Sequence, residues 1–479
     1  MIVASDWAGK RYAVLGLARS GAATVSALLA GGASVVAWDS DPAKREALAP
    51  LPCRGGAGGG ALPQTLRLGD APHPNPASGR SGSQPDLNRA GRGLPDAPEG
   101  EGLRLVDLDT VDLTGFDALV VSPGVPLNTH PLAAAARAAG VPVIGDIELF
   151  AQSRHDLPPH KVVGITGTNG KSTTTALVHH ILKTAGVPTL MGGNIGLPIL
   201  GQEPLPEGGV YVLELSSYQI DLTQSLDCDV AVLLNITPDH LDRYDGFAGY
   251  AASKARLFAM QSAGHVAVVG TGDEASANIA QGLAGRTDDL VAIAPGVLDQ
   301  SRWPALQGPH NAQNAQAAIA VVRALGVRDD AIEAGLRTYA SLPHRMQHVA
   351  TRNGVAFVND SKATNPESTA PALAAFPRVH WIVGGKRKGD DLDACAAHLD
   401  HVVAAYTIGE AAPLFFDLLK DKVPAVEQSG TLEAAVAHAA AAARPGDTVL
   451  LSPACASFDQ FRDYEARGDA FRAAVEALP

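Results

Sequence analysis

The sequence predicts an α/β protein of three domains, each built around a mainly parallel sheet. At 479 residues the chain is too long for one hydrophobic core. Apolar, strand-like runs alternate with helix-like segments in three successive series, and this alternation is typical of parallel sheets covered by helices. We place the domains at 1–148, 149–342 and 343–479.

The first series is interrupted by a segment with no strand or helix pattern. Before and after it lie the strands RYAVLGL, ASVVAWD, DALVVS and VPVIGD and the helix SGAATVSALLAGG. Between residues 54 and 101 the chain is rich in Gly, Pro, Ser and Asp. Such a mixture cannot bury a core, so we expect a flexible insertion in a surface loop.

Polar loops follow strands of the third series. The predicted strands are VAFVND, VHWIVGG, VVAAYTIG and DTVLLSP, and the loops read DSKATN, GGKRKGDD and SPACASFDQF. Ligands of open parallel sheets bind at the carboxyl ends of the strands. The three loops therefore predict one shared site.

Composition excludes several classes of function. Lys and Arg number 37 against 50 Asp and Glu, and the net charge of −13 opposes binding to nucleic acid or anionic lipid. We find no apolar stretch of membrane-spanning length and no signal-peptide pattern, so we expect no membrane insertion and a cytoplasmic location.

The four scattered cysteines indicate neither zinc nor disulfides, and we expect reduced, mostly buried thiols.

The stretch GITGTNGKSTTT at 164–175 predicts a phosphate-binding loop between a strand and a helix. Ile165 stands where the usual G-x-x-x-x-G-K-[ST] pattern has its first glycine. The remaining glycines let backbone amides point at a phosphate, and the helix N-terminus adds its dipole. Lys171 would reach the outer phosphates, and Ser172 or Thr173 would bind magnesium. This combination favours a nucleoside triphosphate site over an ordinary glycine-rich turn.

Other candidate residues each allow two interpretations. Glu214, at the end of an apolar strand, suits magnesium but could be capped or solvated. His240 could hold a metal or only donate a hydrogen bond. By composition alone Lys254 is an exposed lysine on an amphipathic helix. Asn311 and Asn314 suit purine or ribose contacts, and helix N-capping explains them nearly as well.

The third series offers charged and hydroxyl groups suited to phosphate and carboxylate. The guanidinium of Arg345 suits a γ-phosphate whose charge grows during transfer. The polar loops contribute Asp360, Lys362 and Thr364 in the first, Lys388 in the second and Ser457 in the third.

Taken in order, GTNGKSTTT, GGNIG, LELSSYQ, NITPDHLDRY, SKARLF, HNAQN, LPHR, NDSKATN and LSPACASFDQF closely resemble the motifs of the Mur ligases. The resemblance covers essentially the whole chain outside 54–101, and this family uses the shortened G-x-x-G-K-[ST] loop. It implies a Rossmann-like UDP-binding domain, a central ATPase-type domain with a phosphate loop, and a Rossmann-like C-terminal domain. It also implies a monomeric, ATP-dependent amide ligase with two Mg²⁺ ions that acts on UDP-N-acetylmuramoyl-L-alanine and D-glutamate.

The resemblance assigns roles to individual residues. The ATP contacts it implies are Gly167, Thr168, Asn169, Gly170, Lys171, Ser172, Thr173, Asn311, Asn314, Arg345 and Asp360. The implied metal ligands are Ser172, Glu214, His240 and Lys254, the last as a carbamate. The implied UDP contacts are Ser20, Asp39, Ser40, Ser122 and Gly124, and those to the muramoyl part are Asn194 and Gln219. The implied D-glutamate pocket is Lys362, Thr364, Lys388, Ser457 and Tyr464. The implied catalytic groups are Lys171, Glu214, His240, Lys254 and Arg345.

Two departures and three alternatives accompany this reading. The turn from Gly16 to Gly21 lacks the middle glycine of a dinucleotide fingerprint, and Tyr464 stands where we expect an aromatic residue without a hydroxyl. The alternatives are another Mur or folylpolyglutamate-type ligase, a nicotinamide-dependent oxidoreductase, and a catalytically idle nucleotide-binding regulator. The absent D-N-P-R run counts against a diaminopimelate-adding enzyme. The complete ATP site counts against the oxidoreductase, and Lys171, Glu214 and Lys254 together count against the regulator.

Overall fold

The computed structural model describes residues 1–48, 102–241, 243–285, 289–294, 298–387 and 389–478. The insertion expected at 54–101 and the expected site residue Lys388 lie outside the described residues. Three mainly parallel sheets follow one another along the chain, with helices between their strands. The predicted α/β class is therefore confirmed.

The first sheet is parallel throughout, with the strand order β3-β2-β1-β4-β5. Its strands are β1 (Arg11–Leu15), β2 (Ser34–Trp38), β3 (Leu103–Leu105), β4 (Ala118–Val121) and β5 (Val143–Ile144). Its helices are α1 (Arg19–Ala30), α2 (Pro42–Leu48), α3 (Pro131–Ala139) and α4 (Asp146–Ser153). β1 lies at the centre, so the turn that follows it faces the ends of β2 and β4.

The second sheet is also parallel, with the order β11-β10-β9-β6-β8-β7. Its strands are β6 (His160–Thr166), β7 (Thr189–Gly193), β8 (Gly209–Glu214), β9 (Val230–Leu233), β10 (Val266–Gly270) and β11 (Leu290–Ile293). Its helices are α5 (Lys171–Thr184), α6 (Ser217–Asp221), α7 (Gly246–Ala259), α8 (Glu274–Leu283), α9 (Pro309–Ala324) and α10 (Asp329–Thr338). The loop after β6 therefore lies between the ends of β8 and β9.

The third sheet has the order β12-β13-β17-β14-β15-β16, and only β12 pairs antiparallel among its described strands. Its strands are β12 (Gln347–Arg352), β13 (Val355–Asn359), β14 (Val379–Gly384), β15 (Val402–Ile408), β16 (Val426–Gly430) and β17 (Thr448–Leu451). Its helices are α11 (Pro366–Ala374), α12 (Ala412–Leu419), α13 (Leu432–Ala442) and α14 (Tyr464–Glu476). Short 3₁₀ helices occupy Ser5–Trp7, Leu108–Thr110, Arg154–Asp156, Ile199–Gly201 and Asp393–His401. Because β13, β17 and β14 are neighbours, the polar loops that follow them leave the same edge of the sheet.

One hydrophobic core joins the first two sheets. It contains Val14 of β1, Leu213 of β8, and Ile147, Leu149 and Phe150 of α4, all buried. The boundary expected between residues 148 and 149 falls inside α4. Its apolar residues Ile147, Leu149 and Phe150 belong to the shared core, so α4 is not a linker between the two sheets.

The third sheet has separate cores on its two faces, built from residues that follow Arg345. No helix in the described part of the chain is both long and apolar enough to cross a membrane. The three described cysteines, Cys228, Cys395 and Cys455, are buried free thiols, as predicted.

Candidate functional site

The loop after β6 is shaped by two glycines and fastened to the loop after β9. Gly167 and Gly170 have φ values of +152° and +85°, which other residues rarely adopt. A Cβ added to Gly170 would lie 2.3 Å from the Asn314 Oδ1 atom. The backbone amides of Thr168 and Asn169 donate to the loop after β9, each at 2.9 Å. The chain thus forms a rigid turn at the N-terminus of α5, which is the arrangement that binds phosphate.

Lys171 folds back over this turn. Its Nζ donates to the carbonyl oxygens of Gly167 and Thr168, both at 2.8 Å. Burial lowers the pKa of the Lys171 ammonium, and the nearby Glu214 carboxylate opposes that shift. Phosphate oxygens would replace carbonyl dipoles with full negative charge, so an anion in the turn would favour the charged lysine.

Asn311 and Asn314 of α9 pack against α5 and the phosphate loop. Asn314 Oδ1 accepts from the Thr174 hydroxyl at 3.3 Å, and Asn314 Nδ2 donates to Asn311 Oδ1 at 3.1 Å. The residue at the N-cap of α9 is Gly308, which makes no side-chain cap. N-capping is therefore the wrong explanation for these two amides, which are buried against α5.

Glu214 presents an oxygen that suits a divalent cation. Its side chain is 2% exposed, and Oε1 accepts from Asn194 Nδ2 at 2.8 Å. Oε2 is buried and has no hydrogen-bond partner among the described residues. An orphaned carboxylate oxygen beside a phosphate loop fits Mg²⁺.

The described residues contain no group of three His, Cys, Asp or Glu side chains that could hold a metal. Mg²⁺ does not require such a cage, because it binds one or two carboxylates together with phosphate oxygens and water. Ser172, at the start of α5, is buried close to the loop, and its Oγ accepts from Arg345 Nη2 at 2.8 Å. The residues present therefore fit a magnesium–nucleotide site.

Lys254 corrects the expectation of an exposed lysine. Its side chain is 1% exposed, and Nζ donates to the Gly167 carbonyl at 2.9 Å. The same Nζ lies 4.7 Å from the centre of the Tyr250 ring. Burial, reinforced by the charge of Lys171, lowers the pKa of the Lys254 amine well below its usual value. The lowered pKa favours the neutral amine, which is the form that reacts with CO₂.

His240 lies in the loop after β9 with a left-handed backbone, φ +54°. Its imidazole Nε2 is 3.5 Å from Asp239 Oδ2, and its ring centre lies 5.0 Å from that of Tyr218 and 6.4 Å from that of Tyr250. The side chain is 47% exposed. His240 is thus close to the ring that covers Lys254 while remaining open to an incoming ligand.

Arg345 belongs to the third sheet but reaches the second. Its neighbours His344 and Met346 both have left-handed backbones, with φ +61° and +45°. His344 is buried beside Asn359 of β13, and the Met346 amide donates to Asp360 Oδ1 at 3.1 Å. These contacts fix Arg345 to the third sheet, while its guanidinium contacts Ser172 at the phosphate loop.

Burial shifts the pKa values of two titratable groups in the loop after β13. Burial raises the pKa of the Asp360 carboxyl to about 7, although its Oδ2 accepts from the Ser452 hydroxyl at 2.8 Å. Burial, followed by the charge of Arg345, lowers the pKa of the Lys362 ammonium to about 8. Lys362 Nζ lies 3.8 Å from the centre of the Tyr464 ring. Thr364 follows in the same loop, half-buried.

The loops after β13, β14 and β17 meet, as predicted. Ser457 is 2% exposed, and its carbonyl accepts from the Phe461 amide at 2.8 Å. Sequence reasoning missed Arg467, a residue of α14 that is 1% exposed and donates to carbonyls of two of these loops. Its partners are mostly backbone oxygens, which leave no pattern in a sequence.

In the first sheet, side chains that follow the neighbouring strands β2 and β4 form hydrogen bonds with the turn after β1. Asp39 accepts from the backbone amides of Leu17 at 2.7 Å and Asp41 at 2.9 Å. Burial opposes ionisation of Asp39, but these amide donors together with the Lys44 ammonium lower the pKa of the carboxyl. Ser122 Oγ donates to the Gly16 carbonyl at 3.0 Å. Asp39 and Ser122 therefore shape the turn that would receive a phosphate.

The remaining residues expected at the UDP site surround that turn. Ser20 and Ser122 line a small cavity together with Asp146, the first residue of α4. Burial raises the pKa of the Asp146 carboxyl to about 6, and the Ser20 hydroxyl donates to it. Ser40 and Gly124 lie exposed at the rim.

Asn194 and Gln219 lie beside the end of β8, and both engage local partners. Besides its side-chain bond to Glu214, Asn194 donates its backbone amide to the Glu214 carbonyl at 2.8 Å. Gln219 Oε1 accepts from the Ser216 amide at 3.1 Å and closes a capping box at the start of α6. Both residues therefore lie at the carboxyl edge of β8.

Sequence comparisons identify the family. The Mur ligase middle domain matches residues 165–296, and the Mur ligase glutamate ligase domain matches residues 344–455. Proteins named UDP-N-acetylmuramoylalanine--D-glutamate ligase from Novosphingobium aromaticivorans and Sphingopyxis alaskensis are 59% and 58% identical to this chain. The alignments cover 100% of this chain and 97% and 100% of those proteins, respectively.

Solved structures share the fold at low sequence identity. The UDP-N-acetylmuramate-alanine ligase of Thermotoga maritima superposes with a TM-score of 0.55 at 15% identity, over 98% of this chain and 99% of that one. A pseudomurein peptide ligase type C from Methanothermus fervidus gives 0.53 at 18% identity, over 98% and 100%. Because its relatives at 59% and 58% identity match it along its full length, the chain belongs to the Mur ligase family.

Proposed function

We propose that this chain is the ATP-dependent ligase that joins D-glutamate to UDP-N-acetylmuramoyl-L-alanine in the cytoplasmic synthesis of peptidoglycan precursors. The observation that carries the proposal is the 59% identity over the whole chain to a UDP-N-acetylmuramoylalanine--D-glutamate ligase. The phosphate loop, the buried lysines and the third-sheet loops supply the groups that such a reaction requires. We expect the chain to act as a monomer.

The reaction has two steps on one carboxyl group. The carboxylate of the L-alanyl substrate attacks the γ-phosphorus of ATP, which forms an acyl phosphate and releases ADP. The amine of D-glutamate then attacks the acyl carbon, the amide bond forms, and inorganic phosphate leaves. No covalent bond to the protein is needed, so the chain contributes positioning and charge neutralisation.

Cations from the second and third sheets would contact the transferring phosphate. Lys171 begins α5 and folds back over the loop after β6, and Arg345 contacts Ser172 from the third sheet. Their charges would balance the charge that develops on the γ-phosphate oxygens. Asn311, Asn314 and Asp360 would bind the rest of the nucleotide, as would Gly167, Thr168, Asn169, Gly170 and Thr173 of the loop.

Two Mg²⁺ ions would neutralise phosphate charge when bound. We assign Ser172 and Glu214 to one ion, since Glu214 Oε2 is buried and has no partner among the described residues. We assign His240 and carbamylated Lys254 to the other. The support for the carbamate is the depressed pKa of a lysine that is 1% exposed and whose Nζ contacts the phosphate loop. Carbamylation would turn a cation that repels metal into an oxygen ligand.

The two organic substrates would bind at opposite ends of the site. Ser20, Asp39, Ser40, Ser122 and Gly124 would bind UDP, and Asn194 and Gln219 would contact the muramoyl part. Lys362, Thr364, Lys388, Ser457 and Tyr464 would bind D-glutamate. The cationic lysines suit its carboxylates, and the loops meet at one edge of the third sheet.

Phosphate release from ATP tests the proposal directly. Purified enzyme is supplied with ATP, Mg²⁺ and UDP-N-acetylmuramoyl-L-alanine, and the rate is compared with D-glutamate, L-glutamate, L-alanine or diaminopimelate as the amine. We expect release and amide formation with D-glutamate alone. Equal rates with another amino acid would contradict the proposal and favour a related ligase. No release with any of them would contradict it and favour the idle nucleotide-binding regulator.

A further inference from the structure

We propose that Arg467 is a positioning residue for the amino-acid substrate. In this proposal its side chain holds the loops after β13, β14 and β17 in register and gives their pocket a positive charge that no described carboxylate pairs with. The inference rests on the proposed function, because D-glutamate is taken to bind where these loops meet.

A single guanidinium connects two of the loops. Arg467 Nε donates to Ser361 Oγ at 3.0 Å, and Nη2 donates to the Ser361 carbonyl at 2.9 Å. Nη2 also donates to the Cys455 carbonyl at 3.0 Å, and Nη1 donates to the Ala456 carbonyl at 3.2 Å. Ser361 precedes Lys362, and Ala456 precedes Ser457. The backbone beside each of these expected glutamate contacts is therefore fixed by the same side chain.

The third loop is held against the same group. The Lys386 amide donates to the Ala456 carbonyl at 2.9 Å, and the Ala456 amide donates back to Lys386 at 3.0 Å. Gly385 has a φ of +133°, and a Cβ there would lie 2.4 Å from the Ala456 oxygen and 3.0 Å from Arg467 Nη1. The absence of a side chain at Gly385 thus lets the loop after β14 approach the guanidinium.

Arg467 is unusual because it is a charged side chain that is almost fully buried. The side chain is 1% exposed and forms no ion pair with any described carboxylate, although the charge of the nearby Asp459 raises its pKa. The surface Arg387, by contrast, pairs directly with Asp390 and Glu410. Burial lowers the pKa of Arg467 to about 10, so the guanidinium still carries its proton at neutral pH. Carbonyl dipoles only partly offset the cost of a buried charge. A dicarboxylate bound beside these loops would supply further negative charge.

Two substitutions separate the effect of the Arg467 hydrogen bonds to the loops from the effect of its positive charge. Arg467→Lys keeps the positive charge and loses the forked set of donors, whereas Arg467→Gln keeps a polar side chain and loses the charge. Arg472→Lys is the matched control, because Arg472 lies on the same helix and, among the described residues, its guanidinium donates a hydrogen bond only to Gln347, at 3.4 Å. For each variant, KM is measured for D-glutamate, ATP and the UDP substrate. A single-turnover burst of ADP without D-glutamate isolates the first step, and thermal unfolding monitors the fold.

We expect KM for D-glutamate to rise about tenfold or more in Arg467→Lys and about a hundredfold in Arg467→Gln, since charge-assisted hydrogen bonds are lost. The ADP burst, KM for ATP and the Arg472→Lys enzyme should stay unchanged. An unchanged KM for D-glutamate in folded Arg467→Gln overturns the proposal, as does an equal loss in the burst and in ligation. If Arg467→Gln does not fold, Arg467→Lys carries the test alone. Failure of the proposed function would look different, because the wild-type enzyme would then show no phosphate release that depends on D-glutamate.

Discussion

At the scale of single residues, burial sets the charge of the basic groups in the site. Lys171, Lys254 and Lys362 all have lowered pKa values, and desolvation is the largest cause for each. The next cause that lowers them is another cation, Lys171 for Lys254 and Arg345 for Lys171 and Lys362. Nearby carboxylates oppose these shifts without reversing them, so phosphates and carboxylates bound in the site would further stabilise the charged lysines.

The carbamate hypothesis predicts chemical rescue. Lys254→Ala should be nearly inactive, because the oxygen ligands for one Mg²⁺ are lost, and short-chain carboxylic acids should restore part of the activity by filling the vacated space. The measurement is ligation rate against acid concentration, with Lys183→Ala, an exposed lysine of α5, as the control. Full activity without acid, or no rescue of a folded and inactive variant, would argue against the carbamate.

The lowered pKa of Lys362 predicts a pH dependence for D-glutamate. A group with a pKa of about 8 is charged below that pH and loses its charge as the pH rises through it. An arginine in its place stays charged, so the ratio of kcat/KM for D-glutamate between wild type and Lys362→Arg should fall as the pH rises past about 8. Taking the ratio cancels the ionisation of the substrate amine. A ratio that stays constant across this range would mean that Lys362 does not titrate there.

At the scale of elements, α14 closes the third sheet's end of the site. Its first residue, Tyr464, lies over Lys362, and Arg467 and Gly468 face the loops and the segment around Arg345. A Cβ added to Gly468 would lie 2.1 Å from His344 Nδ1. The helix can therefore approach His344, and through it hold Arg345, only because residue 468 is glycine.

Gly468→Ala should accordingly destabilise the protein by about 1–3 kcal/mol through overpacking against the buried imidazole. Gly282→Ala is the matched control, because Gly282 is also helical and a Cβ there would meet nothing within 4 Å. The control should be neutral or slightly stabilising, since alanine favours the helix. Denaturant unfolding of both variants measures the difference, and equal stabilities would refute the contact.

In the third sheet, prediction of strands from the sequence succeeded for the buried strands and failed at the two edge strands. The apolar runs of β13, β14, β15 and β17 are recognisable in the sequence, and the meeting of their loops follows from strand order. The edge strands β12 and β16 read QHVATR and VEQSG and are only partly buried, so they lack the apolar run that reveals a strand. The burial of Lys254 and the role of Arg467 depend on contacts between distant segments, which composition and spacing do not encode.

At the scale of the whole molecule, the segment expected as an insertion offers a simple test. Deleting residues 56–99 should leave activity and thermal stability nearly unchanged, because Gly/Pro-rich surface insertions bury little and loop-closure entropy grows slowly with length. Differential scanning calorimetry and the ligation assay measure both properties against the full chain. A large fall in melting temperature would mean that the segment packs on the first sheet.

The core shared by the first two sheets has a consequence for recombination within the family. An exchange of segments at residue 148 would divide α4 and leave half of that core facing residues with which it did not evolve. A crossover between α10 and His344 instead separates the third sheet together with its own cores and its arginine. Chimeras that inherit the first two sheets from one parent and the third from another should therefore remain compact, and the origin of the third sheet would decide which amino acid they accept.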